Sequence, residues 1–191
     1  SYSRPPATKK KPTDRSVLVL QNTGLFKDIY CSHAQQFIYF VEIMLMLEDL
    51  GYKKIIFRLH PGAIRTDYYH EIAELFGIEC EISDSGPFKP LLEESDIVIG
   101  SAVSGTAVES INAGRPYFIV LPQPHALNLD YYDKTPVYSS YSSLKQTLHE
   151  KIEIDQIGFC EDFTASTEYP DPVERTWGAL KSIENHDKQP F

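Results

Sequence analysis

The sequence contains few cysteines, no long apolar run and no excess of positive charge. Its three cysteines, Cys31, Cys80 and Cys160, include no CxxC pair, so neither a disulfide framework nor a zinc site is indicated. No apolar run approaches the roughly 20 residues that cross a bilayer, and no basic-then-apolar signal segment opens the chain. The net charge of −9 disfavours general nucleic-acid binding, which needs a positive field over one face. We therefore expect a soluble, cytoplasmic protein that does not bind nucleic acid.

Several motifs that define enzyme classes are also missing. No GxGxxG follows the first predicted strand, which disfavours NAD or FAD binding, and no GxxxxGK[ST] is present, which excludes a P-loop. The GxSxG nucleophile elbow of serine hydrolases is absent, and "GSAVSG" at 100–105 does not match it. No spacing of side chains typical of a metal site occurs, so we expect no metal.

What the sequence does contain is an alternation of short apolar runs and helical patterns. The apolar content of 42% is ample for a globular core. Strands are predicted at 16–21, 53–59, 79–83, 96–100 and 116–122, with helices between them at 34–50, 67–76, 88–95 and 106–113. Gly51, Gly77 and Gly114 close three of these helices, and Gly77 stands where a left-handed cap is favoured. A sixth strand near 135–140 and a helix near 142–152 continue the series. The pattern predicts an α/β fold, a Rossmann-like doubly wound parallel sheet.

The two ends of the chain differ from this pattern. Residues 1–14 are rich in Pro and Lys and predict a flexible linker that follows an excised domain, because such a segment buries too little apolar area to offset its ordering entropy. The domain itself is expected over 15–150. Residues 151–191 are expected to form a C-terminal extension with a terminal helix, since Asp171, Pro172 and Glu174 have the spacing of a helix start.

Ligands of open α/β sheets bind beyond the carboxyl ends of the strands, where the strand order reverses. If the order is the common 3-2-1-4-5-6, the reversal lies between strands 1 and 4. The loops at 21–26 and 100–110 then face each other, and the "HPGAIR" loop lies one strand away. The turn with Asn22, Thr23 and Gly24 could hold part of a ligand or face an adjoining domain.

The segment "GSAVSGTAVES" at 100–110 combines a strand end, small polar residues and a helix N-terminus. The unpaired N–H groups of a first helical turn form a site for phosphate. Gly100 and Gly105 would let the backbone approach a ligand closely, and Ser101, Ser104 and Thr106 add hydroxyl groups. Thr106 and Glu109 also have the spacing of a capping box, so Glu109 is either a cap or a ribose ligand.

His60 directly follows an apolar strand and precedes Pro61 and Gly62, which break the chain. A histidine there can donate a hydrogen bond to phosphate or carry a positive charge near an anion. The alternative is a structural histidine bonded to a neighbouring loop carbonyl. Arg58 is expected to be solvated rather than a ligand contact, and Arg65 is open to either interpretation.

The segments "RLHPG" at 58–62 and "SAVSGTAVESINAGRP" at 101–116 together resemble the C-terminal half of GT-B glycosyltransferases. The resemblance covers about residues 16–122 and is greatest to bacterial transferases that use CMP-activated sugars: sialyltransferases and Kdo or related nonulosonate transferases of capsule and lipopolysaccharide assembly. In these enzymes a His-Pro motif and a Ser/Thr-rich motif hold the cytidine monophosphate. The matching residues imply a donor-nucleotide site of His60, Pro61, Gly62, Ser101, Ser104, Gly105, Thr106 and Glu109, with Asn22, Thr23 and Gly24 nearby. Gly114 resembles the helix glycine seen more widely in GT-B nucleotide domains.

The resemblance implies a role for His60 in stabilising the leaving phosphate, with no metal or other cofactor and a CMP-sugar as substrate. It implies that the acidic general base and the glycan acceptor belong to an N-terminal half absent from this sequence, so that the chain alone binds nucleotide without transferring sugar. It also leaves open a peripheral association of the whole enzyme with a membrane.

A departure from the family's pattern keeps other functions open. The second motif reads Ser-Ala-Val-Ser-Gly-Thr in place of two adjacent hydroxyl residues, and similar elements occur in the CDP-glycerol transferases of teichoic-acid assembly. A CDP-glycerol or UDP-sugar transferase is therefore an alternative. A non-catalytic α/β interaction module, docking through the apolar helix at 34–50, and half of a nucleotide-sugar epimerase are the others.

Overall fold

The computed structural model describes residues 15–21, 33–63, 66–101, 105–120 and 137–150. Six strands form one sheet: β1 (Ser16–Leu20), β2 (Lys54–Arg58), β3 (Glu81–Ser83), β4 (Ile97–Gly100), β5 (Tyr117–Val120) and β6 (Val137–Tyr138). Five helices connect or follow them: α1 (His33–Asp49), α2 (Tyr68–Phe76), α3 (Phe88–Glu94), α4 (Gly105–Asn112) and α5 (Tyr141–Glu150). The predicted linker at 1–14 and the extension at 151–191 lie outside the described residues.

The sheet is parallel throughout, and its strand order is β3-β2-β1-β4-β5-β6. This order is the one that the sequence analysis assumed, and its reversal lies between β1 and β4. The Rossmann-like doubly wound class is confirmed, as is the sixth strand. A tight hairpin cannot join two parallel strands, so the chain needs a crossover connection to pass from one strand to its parallel neighbour.

Helices cover both faces of the sheet. On one face, α1, α2 and α5 pack over the side chains of alternate strand residues, including Val17, Val19 and Phe57. On the other face, Leu92 of α3 and Ala107 of α4 pack over the intervening residues. The central strands, buried on both sides, are apolar along most of their length, which is why their sequences lack a polar alternation.

Helix α1 is the longest element and lies mostly in the core. Phe40, Ile43, Met44 and Leu47 are fully buried against the sheet, whereas Ile38 and Leu45 remain exposed. The apolar residues that suggested a docking helix are thus largely used in packing this domain. No helix in the described ranges is long and apolar enough to cross a membrane.

Helix α2 ends as its sequence indicates. Gly77 has φ of 66° and ψ of 30°, and its N–H bonds back to the carbonyl groups of Ala73 and Glu74. This conformation strains residues with a Cβ, so the glycine sets the helix boundary. The cap turns the chain toward β3 at the edge of the sheet.

Candidate functional site

The carboxyl ends of β1, β2 and β4 lie side by side at one edge of the sheet. Leu20 of β1 pairs with Arg58 of β2, and on the other side Val19 pairs with Ile99 of β4. The residues that follow these strands, Gln21 and His60 among them, therefore lie at the same edge, next to the reversal of strand order. This edge is the predicted ligand crevice.

His60 occupies a tight turn beyond β2. Its carbonyl accepts a hydrogen bond from the Ala63 N–H at 2.8 Å, which closes the turn over Pro61 and Gly62. Its Nδ1 accepts a second hydrogen bond from the Gly62 N–H at 3.0 Å. A Cβ at position 62 would lie 3.3 Å from that Nδ1 atom, so glycine leaves the imidazole its space. The side chain bonds an amide within its own turn rather than the loop carbonyl that the structural alternative expected.

The hydrogen bond that the Gly62 N–H donates determines which nitrogen of the imidazole carries the proton. An Nδ1 atom that accepts a hydrogen bond carries a lone pair, so the ring proton is on Nε2. His60 is exposed at the carboxyl edge of the sheet, and in this tautomer Nε2 is the hydrogen-bond donor of the ring. Its role toward a phosphate stays a prediction.

Gln21 is a site residue that the sequence analysis missed. It is 8% exposed, and its side-chain Oε1 accepts a hydrogen bond from the His60 N–H at 2.8 Å. Its Nε2 donates to the Tyr69 hydroxyl at 3.1 Å. A polar residue at the end of an otherwise apolar strand was the available signal, but its partners lie 39 and 48 positions away along the chain.

Arg58 is partly exposed, as expected of a solvated side chain, but its guanidinium is also bonded to the protein. Its guanidinium donates to the Ser83 hydroxyl at 2.8 Å, to the Gly86 carbonyl at 2.7 Å and to the Ser85 carbonyl. The side chain fastens the loop after β3 to the end of β2. Its role is structural, because the planar fork of donors matches three acceptors of one loop.

The loop after β4 contains the second predicted motif. Ser101 is half-buried, and its carbonyl accepts a hydrogen bond from the Tyr117 hydroxyl at 2.9 Å. Gly105 already belongs to α4, so Thr106 lies inside the helix. A capping box needs its hydroxyl residue before the first helical position, so Thr106 and Glu109 do not form one. Glu109 is exposed on α4, and its contact with a ribose remains a prediction.

Gly100 lies against a buried tyrosine. A Cβ there would lie 2.2 Å from the Tyr117 hydroxyl oxygen and 3.0 Å from Leu20 Cδ1. Glycine at this position therefore makes room for the tyrosine. Gly105, in contrast, has no atom of the described residues outside its own helix backbone and its chain neighbours within 4 Å of its hypothetical Cβ.

The remaining predicted residues cannot be placed. Asn22, Thr23, Gly24, Ser104 and Arg65 lie outside the described residues. Within the described ranges, no group of three or more His, Cys, Asp or Glu side chains is arranged to hold a metal ion. The expectation that the site works without a metal stays a prediction.

Together, the six parallel strands and their helices define the class of this chain, a doubly wound Rossmann-like α/β domain. Neither a family model nor a curated protein matches the sequence. Among solved structures, the NMR solution structure of ALG13 matches with a TM-score of 0.56 over 79% of this chain and 94% of that chain. The two sequences are 11% identical, so the similarity is one of fold.

Proposed function

We propose that this chain is the donor-nucleotide-binding domain of a glycosyltransferase, and that its donor is a CMP-activated acidic sugar such as sialic acid, Kdo or a related nonulosonate. The observation that carries the proposal is the turn at 60–63. It holds a histidine whose Nε2 is the donor nitrogen of the ring, at the carboxyl edge of the sheet beside the reversal of strand order. Ligands of such sheets bind at that position.

The shared fold supports the general class. ALG13 is a glycosyltransferase of the GT-B type that uses a UDP-sugar. The likeness of fold therefore agrees with the resemblance carried by "RLHPG" and "SAVSGTAVESINAGRP". The acidic sugar and its CMP carrier rest on that resemblance alone.

The proposed chemistry is stabilisation of a leaving group. As the sugar leaves its nucleotide, negative charge develops on the phosphate, and donors already aimed at it lower the barrier. His60 would donate through Nε2, while Gly105 and Thr106 would offer the N–H groups of the first turn of α4. None of these groups acts as a nucleophile. By the resemblance, the general base and the acceptor site would belong to a second domain.

A UDP-sugar donor is the second candidate, and the fold of ALG13 is the observation that favours it. The two candidate donors differ in the negative charge that the site must neutralise on the leaving nucleotide. A leaving CMP carries one phosphate, whereas a leaving UDP carries two and needs more donors or a cation. Relative affinity for the free nucleotides therefore separates them.

The test is isothermal titration of the chain with CMP, CDP and UDP. The informative variant is His60→Asn, because an Asn side-chain oxygen can accept the Gly62 N–H and keep the turn, while the more distant Nε2 donor is lost. His149→Ala is the matched control, since His149 is also exposed but lies in the last turn of α5. The last turns of the helices lie at the opposite edge of the sheet from the strand ends.

We expect wild-type protein and the His149 variant to bind CMP most tightly. Loss of a hydrogen bond to a charged group costs about 1.5–3 kcal/mol, so His60→Asn should weaken binding roughly 10- to 150-fold. Tightest binding of UDP would replace the CMP proposal by the second candidate. Absence of binding to all three nucleotides would refute the donor-site assignment.

A further inference from the structure

A single buried amide connects the turn at 60–63 with the core of the domain. Gln21 is 8% exposed at the end of β1, and both atoms of its side-chain amide are used. Oε1 accepts from the His60 N–H at 2.8 Å, and Nε2 donates to the Tyr69 hydroxyl at 3.1 Å. Its own backbone N–H bonds the Arg58 carbonyl at 2.8 Å. Gln21 thus joins β1, the end of β2 and α2.

The two partners fix the orientation of the amide. A backbone N–H can only donate, so the atom facing His60 must be Oε1, and the amino group of Gln21 must then face Tyr69. Burying an amide is unfavourable unless it is bonded, and both of its atoms here are. The side chain therefore has one orientation that satisfies the site, rather than several of similar energy.

Tyr69 is a rigid anchor for this amide. It is fully buried, and its ring lies 5.1 Å from the Phe40 ring and 4.9 Å from the Phe57 ring, measured between centroids. These three rings come from α2, α1 and β2 and fill the centre of one face of the sheet. Any movement of the Tyr69 hydroxyl would require this cluster to repack.

His60 itself is exposed, and among the described residues its carbonyl and its ring bond only within their own turn. Those bonds shape the turn without fixing where it lies relative to the sheet. The bond that the His60 N–H donates to Gln21 Oε1 supplies that connection at the histidine. We infer that Gln21 is the positioning residue of His60, with Tyr69 as its anchor, so that the core sets the direction of the Nε2 donor. In its effect on nucleotide binding, this inference rests on the proposed function.

The first test reads the imidazole directly and needs no ligand. Gln21→Met keeps the length of the side chain and removes the amide, whereas Gln21→Glu keeps an oxygen acceptor for the His60 N–H. Long-range ¹⁵N–¹H NMR reports which ring nitrogen carries the proton. We expect the Nε2–H signature in wild type and in Gln21→Glu. In Gln21→Met we expect averaged signals of the two tautomers, because a His60 N–H without its acceptor loosens the first residue of the turn and with it the bond between Nδ1 and the Gly62 N–H. A purely structural role of Gln21 would alter stability without this pattern.

The second test is a double-mutant cycle on CMP affinity. We expect Gln21→Met to weaken CMP binding about fivefold, because binding must then order a histidine that the wild-type chain already holds in place. In a His60→Asn background the same change should have less than about a twofold effect, because the donor it positions is gone. Equal effects in both backgrounds would overturn the inference.

The outcomes separate the inference from the proposed function. If Gln21→Met changes neither the ring signals nor the CMP affinity while His60→Asn weakens binding, the positioning role is refuted and the donor site stands. If no protein binds nucleotide but Gln21→Met mixes the tautomers, the positioning role stands and the proposed function fails. Should Gln21→Met not fold, Tyr69→Phe removes one oxygen only, and unchanged His60 ring signals in that variant would refute the anchor.

Discussion

Alanine at position 100 should destabilise the domain far more than one methyl group suggests. The Cβ of an alanine there would lie 2.2 Å from the hydroxyl oxygen and 2.8 Å from Cζ of Tyr117. Tyr117 is fully buried, and its hydroxyl bonds the Ser101 carbonyl at 2.9 Å. The added carbon can be accommodated only if the tyrosine moves away from that carbonyl.

The expected cost has two parts. Inserting a carbon into a packed core costs about 1–3 kcal/mol. Loss of the Tyr117 to Ser101 hydrogen bond adds about 1–2 kcal/mol, because the hydroxyl is left in a buried position. We therefore expect Gly100→Ala to lower the free energy of unfolding by about 2–5 kcal/mol.

Urea denaturation followed by circular dichroism measures this difference. Gly105→Ala is the matched control, because no side chain of the described residues lies within 4 Å of a hypothetical Cβ at Gly105. We expect that variant to be neutral or more stable, since alanine is favoured over glycine in a helix. Tyr117→Phe in the Gly100→Ala background removes the hydroxyl in contact and should recover part of the loss.

A Gly100→Ala protein within about 0.5 kcal/mol of wild type, the range of neutral surface substitutions, would refute this reasoning. Destabilisation of equal size in Gly105→Ala would also contradict it, because steric overlap could not then be the cause.

Two further predictions concern groups outside the donor site. Arg58→Lys should lower the free energy of unfolding by about 1 kcal/mol and speed amide exchange in the loop at 84–87. The reason is that an ammonium group cannot bond all three acceptors of the Arg58 guanidinium at once. Unchanged amide exchange would argue against this role of the guanidinium. Burial, helped by the charge of Glu48, raises the pKa of the Cys80 thiol from its ordinary value of 9.0 to about 11. In a variant with Cys80 as the sole cysteine, alkylation at pH 8 should therefore be slow and should accelerate as the pH rises toward 11 and after Glu48→Gln. Rapid alkylation at pH 8 would contradict the raised pKa. Since the pKa of Cys80 is higher in the folded than in the unfolded chain, its contribution to stability is present below pH 9 and is lost toward pH 11.

The fold could be predicted because its signals are local. The alternation of apolar runs with helical patterns identified every strand of the sheet, and glycine after α2 marked its end, since only glycine adopts that backbone conformation without strain. The strand order followed from a preference of α/β folds rather than from particular residues. The extent of the domain and the terminal helix stay predictions.

The candidate site was predictable in part. Pro61 and Gly62 after an apolar run placed His60 at the carboxyl edge of the sheet, because they prevent the strand from continuing. The roles of Gln21, Arg58 and Gly100 were not predictable. Each depends on atoms of another element that come close only when the sheet assembles.

By itself, then, the sequence determined the class of fold and placed His60 at the carboxyl edge of the sheet, because periodicity and chain breaks act over a few residues. The tertiary structure decided which nitrogen of His60 carries the proton, what holds its turn, and why residue 100 is a glycine. Those features depend on distances of about 3 Å between atoms of separate elements, the range over which hydrogen bonds form and side chains collide. Only the packed domain sets such distances.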